Sequence, residues 1–421
     1  MTLDVQSDRS LIRAGASSTR YVRIAFTAPE SRAAGARLPV NVALVLDRSG
    51  SMGGQKIALA RSAARQALSL LGADDRFAVV VYDQIVDVLV ESTPATSEAR
   101  RHAKDALART EARGSTDLCG GWLRGCEQAG LALNESTVGR CLLLTDGLAN
   151  HGITDRGELL RHAAELRARG VATSTFGVGA DFDERLLRDI AQRSGGHFYF
   201  LEHAQQIPDL LASEMGETLE IVARAATLRV ELPAGASAEP LGAREFTRRE
   251  RVLEIDLGDL ISGQQVELLL AIRFPRGAEG SRVAAGFSLA DRDGALDAAA
   301  EHLVWTSASH TENDRQPRNR AVDRAVADAY AARARDEANE RNRTHDPDGA
   351  RGVLRRTARK IRDYAGQDPE LLQLAATLDA DGEDHCGRVF DALELKRNAF
   401  AAYAVQSARS SDGRARRAPK P

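Results

Sequence analysis

The pattern of apolar and polar positions changes several times along the chain. Between residues 38 and 220, short apolar runs alternate with longer stretches that carry apolar side chains at helical spacing. Strands that alternate with helices in this way predict right-handed crossovers and an α/β fold with a doubly wound, mostly parallel sheet. The predicted strands are Val40–Leu46, Phe77–Tyr82, Val86–Val90, Cys141–Thr145, Val171–Val178 and His197–Phe200, and the predicted helices are Gln55–Leu71, Ser97–Thr110, Leu118–Leu133, Arg156–Arg169, Asp183–Gln192 and Ala204–Thr218.

Residues 1–36 and 221–310 show the period-two alternation of half-buried strands, broken by glycine, proline and aspartate turns. An isolated hairpin is only marginally stable, so we expect the N-terminal strands to join the later ones in an additional β-sandwich domain. Residues 33–37 have the composition of a linker. The clearest strands are Tyr21–Phe26, Thr227–Leu232, Val252–Leu257, Gln265–Ile272 and Val283–Leu289.

Helical spacing returns between residues 317 and 409, which predicts a C-terminal helical hairpin or small bundle. The last stretch, residues 410–421, is rich in arginine and lysine, and we expect it to be a disordered basic tail. A contact of this tail with a nucleic acid or a lipid is the less favoured interpretation.

The balance of charges argues against binding to a polyanion. The chain has 421 residues, with 57 Lys and Arg against 60 Asp and Glu, and a formal net charge of -3. No basic excess is available to neutralise phosphates, so we expect no nucleic-acid partner. The longest apolar runs are too short to cross a bilayer, so we also expect no membrane span.

The N-terminal residues and the cysteines both favour a cytoplasmic location. No basic stretch followed by an apolar run opens the sequence, so we expect no secretory signal. The four cysteines show neither zinc-binding spacing nor a disulfide framework, and free buried thiols are the favoured interpretation. A disulfide between Cys119 and Cys126 is the alternative.

Residues with oxygen donors follow the first predicted strand of the sheet. Val40–Leu46 runs directly into Asp47-Arg-Ser-Gly-Ser-Met, which places Asp47, Ser49 and Ser51 on alternate positions of a glycine-containing loop. In a doubly wound sheet, ligands bind beyond the carboxyl ends of the strands. These three side chains are therefore candidates for a binding site at that edge.

Two later segments bring further oxygen donors to the same edge. Asp146 follows the strand Cys141–Thr145, and Thr116 lies in the loop Gly114-Ser-Thr-Asp. Carboxylates and hydroxyls together are ligands for a hard cation, and Mg²⁺ with its octahedral oxygen geometry fits such a set, with Mn²⁺ or Ca²⁺ as alternatives. Because this set has few charges, the cation would attract an external carboxylate strongly.

These motifs resemble the metal-ion-dependent adhesion site of von Willebrand factor type A domains. Asp47-Arg-Ser-Gly-Ser matches the D-x-S-x-S signature, and Thr116 and Asp146 match the later threonine and aspartate. The resemblance covers about residues 38–220. It implies that Ser49, Ser51 and Thr116 are direct hydroxyl ligands, and that Asp47 and Asp146 act through water or as anchors behind the ligands.

The resemblance also implies a function. It indicates a non-enzymatic adaptor or scaffold of a bacterial multiprotein system, in which a protein partner donates an Asp or Glu side chain to the bound Mg²⁺. Family resemblance points to AAA+ ATPases of the MoxR type, or to kinase and phosphatase proteins, as partners. In the family the last helix shifts with metal ligation, and here that helix is Ala204–Thr218.

Two other functions are open at this point. A metal-dependent hydrolase also fits acids at strand ends, but the sequence shows no lysine or histidine beside the motif to serve as acid, base or phosphate clamp. A structural protein with an idle metal site is the third hypothesis. The Asp47–Ser51 loop taken alone also fits a helix-capping role. Asp83 and Asp117 are either neighbours that tune the site or turn residues.

Overall fold

The computed structural model of the protein describes residues 1–30 and 37–417, except for the side chains of residues 386 and 387. Most of the predicted linker at residues 33–37, and residues 418–421 of the predicted tail, lie outside the described residues. The strands are β1 (Asp4–Ser7), β2 (Leu11–Arg13), β3 (Ser18–Thr27), β4 (Val40–Asp47), β5 (Arg76–Tyr82), β6 (Val86–Pro94), β7 (Val138–Thr145), β8 (Val171–Val178), β9 (Phe198–Leu201), β10 (Ile221–Glu231), β11 (Ser237–Pro240), β12 (Phe246–Arg249), β13 (Val252–Ile261), β14 (Gln265–Phe274), β15 (Arg282–Ala290) and β16 (Glu301–Ala308). The helices are α1 (Gln55–Leu70), α2 (Ser97–Ala108), α3 (Leu118–Gly130), α4 (Arg156–Ala168), α5 (Glu184–Ser194), α6 (Ile207–Leu219), α7 (His310–Arg315), α8 (Arg320–Arg343), α9 (Pro347–Ala365), α10 (Pro369–Gly387) and α11 (Ala392–Gln406).

The chain divides into two units, one formed by residues 31–221 and the other by residues 1–30 together with residues 222–421. The first unit contains a six-stranded sheet in the order β6-β5-β4-β7-β8-β9, in which only the β5–β6 pair is antiparallel. Every residue of β4, β7 and β8 is buried, because helices flank the sheet. The predicted α/β fold with a mostly parallel sheet is confirmed.

The order of the strands creates a switch point at β4. The chain leaves β4 for β5 on one side of it, and returns to place β7 on the other side. Ligands of doubly wound folds bind at such a point, where the loops diverge. Aspartate and threonine side chains cap the helices that follow these loops, including α2 by Thr96, α3 by Asp117, α4 by Asp155 and α5 by Asp183.

The second unit contains the predicted β-sandwich. One sheet has the order β1-β3-β14-β11 and the other has the order β12-β13-β10-β15-β16-β2. Inward-facing residues of both sheets form one core, with Ile24, Leu228, Phe287 and Trp305 fully or almost fully buried. The N-terminal strands contribute to both sheets, since β2 pairs in parallel with β16 while β1 and β3 join β14.

Helices α7 to α11 follow the sandwich, and α8, α9 and α10 share an alanine- and leucine-rich core. The tail differs from the prediction of disorder. The amide of Ser410 donates to the carbonyl of Arg414 at 2.9 Å, and the amide of Gln265 donates to the carbonyl of Arg416 at 2.9 Å. Residues 410–417 therefore form a turn that is anchored to the start of β14, because backbone hydrogen bonds rather than side-chain composition hold it.

Three of the cysteines, Cys119, Cys126 and Cys141, are buried free thiols, so the alternative of a disulfide between the first two is wrong.

Throughout residues 1–30 and 37–417, no helix is both long enough and apolar enough to traverse a lipid bilayer.

Candidate metal centre

Four of the five predicted site residues lie at or directly after the carboxyl ends of β4 and β7, and Thr116 lies in the loop that precedes α3. These strands are parallel neighbours in which Leu46 pairs with Leu144, so Asp47 and Asp146 follow at the same edge of the sheet. Both carboxylates are fully buried. Two buried acids side by side are unfavourable unless hydrogen bonds or a positive charge compensate them.

Hydrogen bonds fix the carboxylate of Asp47. One oxygen accepts the backbone N–H of Ser49 at 2.7 Å, and the other accepts the hydroxyl of Thr145 at 2.6 Å. Burial raises the pKa of Asp47 to about 6; the hydrogen bonds from Thr145 and Ser49 oppose this rise, and the charge of Asp146 adds to it. Thr145 was not among the site residues expected from the sequence, although it immediately precedes Asp146 in the motif.

The hydroxyls of the first loop connect the two acids. The Oγ atoms of Ser49 and Ser51 lie 3.2 Å apart, and the Ser51 hydroxyl donates to one carboxylate oxygen of Asp146 at 2.7 Å. The other oxygen of Asp146 accepts a hydrogen bond from the ammonium group of Lys56. Ser49, Ser51 and Asp146 therefore form a continuous chain of oxygen atoms.

Thr116 reaches the same point from a third loop. The amide of Gly50 donates to the carbonyl of Gly114 at 3.0 Å, which holds this loop against the first one, and the amide of Thr116 donates to the side chain of Asn150 at 3.0 Å. A Cβ atom at Gly147 would lie 3.2 Å from Thr116 Oγ1 and 3.9 Å from Ser51 Oγ. Both hydroxyls therefore face the glycine that follows Asp146.

The residue between Asp47 and Ser49 points into a separate cluster of charges. Arg48 donates to Asp83 at 2.9 Å and also pairs with Asp87, while Arg113 donates to Asp83 at 2.7 Å. Burial raises the pKa of Asp83, but the hydrogen bond from Arg113 and the charges of both arginines overcome this, and the pKa lies below its usual value. Asp83 thus holds the loops together through two arginines.

Asp117 also has a structural role. Its carboxylate accepts the amide of Gly120 at 2.9 Å and caps the N-terminus of α3. This bond fixes the start of α3 directly after Thr116. Asp117 therefore helps to position Thr116 from the helix side of the loop.

Lys56 corrects one expectation from the sequence. No lysine or histidine was expected beside the motif, yet the first turn of α1 directs the Lys56 side chain back to Asp146, and 29% of that side chain is exposed. A Cβ atom at Gly179, after β8, would lie 3.9 Å from its nitrogen. Lys56 is therefore paired directly with one of the two buried acids.

The donor set fits a hard divalent cation. Asp47 and Asp146 supply carboxylate oxygens, and the two serines and Thr116 supply neutral hydroxyl oxygens; these are the ligand types that Mg²⁺ binds. Two full negative charges, one of them already paired with Lys56, leave a divalent charge incompletely neutralised. An arrangement of this kind can hold a cation and direct it towards an anionic group from solution.

Comparison with known proteins places these residues in a family. The family model of the von Willebrand factor type A domain matches residues 41–213. An uncharacterized protein of Synechocystis, sll0103, is 30% identical over 63% of this chain and 64% of its own length. The uncharacterized protein YfbK of Escherichia coli is 27% identical over 55% of this chain and 41% of its own length.

Inter-alpha-trypsin inhibitor heavy chain H1 of Mesocricetus auratus is 30% identical over 37% of this chain and 18% of its own length. The match to this chain thus spans less than two thirds of the length of each of these relatives.

Two solved structures share the fold along nearly the whole chain. A von Willebrand factor type A protein from Catenulispora acidiphila superposes with a TM-score of 0.70 at 18% identity, covering 99% of this chain and 97% of that one. The ArnB paralog VWA2 from Sulfolobus acidocaldarius gives a TM-score of 0.62 at 16% identity, covering 96% and 98%. Residues 41–213 of this chain thus match the model of the von Willebrand factor type A domain, and the two solved structures show the same fold.

Proposed function

We propose that this domain captures an Asp or Glu side chain of a protein partner through a Mg²⁺ ion held at Ser49, Ser51 and Thr116. The observation that carries the proposal is the convergence of three hydroxyls and two fully buried carboxylates at the switch point of the sheet. Asp47 and Asp146 serve as anchors behind the hydroxyls, since each already accepts hydrogen bonds from the loops.

The two carboxylates orient the hydroxyl ligands but do not fully neutralise the charge of a bound divalent ion. Asp47 orients Ser49 through the backbone amide, and Asp146 orients Ser51 through its hydroxyl. When bound, the divalent ion supplies an open coordination position and a strong positive charge for a carboxylate oxygen. Neutral hydroxyls keep that charge high, because they donate electron density without adding negative charge.

The ligand chemistry favours Mg²⁺ over softer metals, because all five groups are oxygen donors. Mn²⁺ and Ca²⁺ accept the same donors and are the alternatives. The proposal extends to an adaptor role in a bacterial cytoplasmic assembly, where a MoxR-type AAA+ ATPase or kinase and phosphatase proteins are the partners that family resemblance favours. The three buried thiols support a reducing compartment.

A hydrolase is the second candidate, and Lys56 is the observation that favours it, since a lysine beside a metal site can bind a phosphate. Its ammonium group is already engaged by Asp146, so we infer binding rather than turnover. Hydrolysis of p-nitrophenyl phosphate by the full chain, lost in Asp47→Asn, would establish the enzyme. If the full chain fails to bind Mg²⁺ or Mn²⁺ in calorimetry, the idle-site hypothesis replaces both.

The decisive experiment is an affinity capture from a lysate of the source organism with the full chain as bait, in Mg²⁺ and in EDTA, followed by mass spectrometry. A partner that depends on the proposed site is retained in Mg²⁺ and lost in EDTA and with the Thr116→Ala bait. A partner that is retained equally under all three conditions would show that another surface makes the contact.

Lys56 gives a prediction about the affinity of the site for metal. Its ammonium group competes with a divalent cation for Asp146, so Lys56→Met should tighten Mg²⁺ binding by about three- to tenfold, a modest effect because the side chain is partly exposed. Isothermal titration calorimetry at constant ionic strength measures the change.

Lys104→Met is the matched control, because the Lys104 ammonium lies on α2 and bonds to the hydroxyl of Ser69 at 2.8 Å. Weaker Mg²⁺ binding by Lys56→Met would contradict the competition and would mean that Lys56 instead holds Asp146 in its binding position.

A further inference from the structure

A second group of metal-binding side chains lies between β9 and α6. His197 immediately precedes β9, and Glu214 and Glu217 lie one turn apart on the same face of α6. One ligand atom of each of these three residues lies within 4.8 Å of the others. None of the three belongs to the proposed Mg²⁺ site.

Burial makes this group electrostatically demanding. The side chain of Glu214 is 2% exposed and Glu217 is 5% exposed, whereas His197 is 28% exposed and gives the group a path to solvent. Two carboxylates buried this close together repel each other, and a divalent cation would balance both charges at once. One divalent ion bound by a neutral imidazole and these two carboxylates would carry no net charge.

Neighbouring side chains hold the group in place. The hydroxyl of Ser174 donates to one oxygen of Glu214 at 2.5 Å, and the hydroxyl of Tyr199 donates to the other at 2.6 Å. Ser174 also accepts the backbone amide of His197 at 3.1 Å. Carboxylate ligands of metal sites are commonly held by such hydrogen bonds, which orient them and reduce the entropy lost on binding.

The spacing of the ligand atoms suits a tetrahedral ion. His197 Nδ1 lies 3.2 Å and 3.1 Å from the two carboxylate oxygens of Glu214. In a tetrahedral zinc site, ligand atoms about 2 Å from the ion lie about 3.3 Å from each other. The His197–Glu214 pair already has this separation, and a ligand oxygen of Glu217 lies within 4.8 Å of the ligand atoms of both residues.

We propose that His197, Glu214 and Glu217 form a site for Zn²⁺ or a similar transition-metal ion, with water as the fourth ligand. The imidazole nitrogen distinguishes this site from the all-oxygen Mg²⁺ site, because imidazole favours zinc and cobalt whereas carboxylate, hydroxyl and water favour magnesium. When the ion binds Nδ1, the hydrogen bond between Nδ1 and Glu214 is replaced by two bonds to the metal.

The test is a Co²⁺ titration of the full-length Thr116→Ala protein in excess Mg²⁺, so that the proposed Mg²⁺ site contributes nothing. Visible absorption of tetrahedral Co²⁺ should saturate at one ion per chain and disappear when Zn²⁺ is added. Glu217→Gln and His197→Gln should each weaken Co²⁺ binding at least about tenfold.

Glu220 is exposed and directly follows the same helix, so Glu220→Gln is the control that should bind Co²⁺ like the Thr116→Ala parent. Zn²⁺ should also raise the melting temperature of the parent and not that of Glu217→Gln. If the parent gives no tetrahedral Co²⁺ spectrum, or if both variants bind as tightly as the parent, the three residues form only a buried hydrogen-bond network and the proposal is overturned. If His197→Gln does not fold, Glu217→Gln and the parent still decide between these outcomes.

Discussion

Thr116→Ala is expected to weaken Mg²⁺ binding by about a hundredfold or more and to abolish carboxylate capture, while the fold persists. The hydroxyl of Thr116 faces Gly147 and Ser51, whereas backbone bonds to Asn150 hold the loop itself. Removing the hydroxyl deletes a ligand without releasing the loop, so the free energy of unfolding without metal should change by less than about 1 kcal/mol. Calorimetry with Mg²⁺ and thermal unfolding in EDTA measure the two quantities.

Ser115→Ala is the matched control, since the neighbouring Ser115 hydroxyl lies 3.4 Å from the side chain of Gln84 and not at the convergence of the site. It should bind Mg²⁺ like the parent protein. Equal Mg²⁺ affinity for Thr116→Ala and the parent would show that Thr116 is not a ligand, and the proposed site would lose the residue that joins its third loop.

The second large effect concerns stability. A Cβ atom at Gly196 would overlap the carbonyl group of Thr173 and lie 2.8 Å from the amide nitrogen of Ser174. These are backbone atoms of β8 and cannot rotate away, so Gly196→Ala must displace the start of β9 or β8 itself. We expect the free energy of unfolding to fall by about 3 kcal/mol, measured by urea denaturation.

Gly216→Ala provides the opposite case on a neighbouring element. Gly216 lies inside α6, and a Cβ atom there has no neighbour within 4 Å. Alanine should raise the stability by about 0.5 to 1 kcal/mol, because it reduces the entropy that the unfolded chain loses on forming the helix. If the two variants had the same free energy of unfolding, the close approach of the β8 backbone to Gly196 would not be what excludes a side chain there.

The sheet of the type A domain could be predicted because its strands have a clear sequence signal. Val40–Leu46 is apolar at nearly every position, as buried parallel strands must be, and β4 is buried along its whole length. The candidate site followed from the same fact, since residues directly after parallel strands meet at one edge. The convergence of Asp47 and Asp146 depends on the length of these strands and on their parallel register.

Lys56 and His197 could not be found in this way. Lys56 meets Asp146 only because the first turn of α1 lies over the edge of the sheet, and the 90 positions that separate the two residues carry no periodic signal. The same holds for His197 and Glu214, which are 17 positions apart, the first directly before β9 and the second within α6. Contacts between different elements depend on packing angles that a local pattern does not encode.

Several short strands of the sandwich also escaped the sequence patterns. Every residue of β12 is exposed, so it has no buried face to give an alternation of polar and apolar residues, and β2 has only 3 residues. Each lies at a sheet edge and is held there by hydrogen bonds to one partner strand. These strands therefore form through pairing and not through a pattern in their own sequence.

The pairing of β3 with β14 has a consequence for synthesis of the protein. Thr27 pairs with Gln265, so β3 leaves the ribosome long before its neighbour exists. At about 5 to 20 residues per second, the delay is about 10 to 50 seconds. During that time Val22, Ile24 and Phe26, all buried in the finished sandwich, have only β1 as a neighbouring strand. We therefore expect the apolar side chains of β3 to be accessible to chaperones and prone to aggregation until β14 has been synthesised.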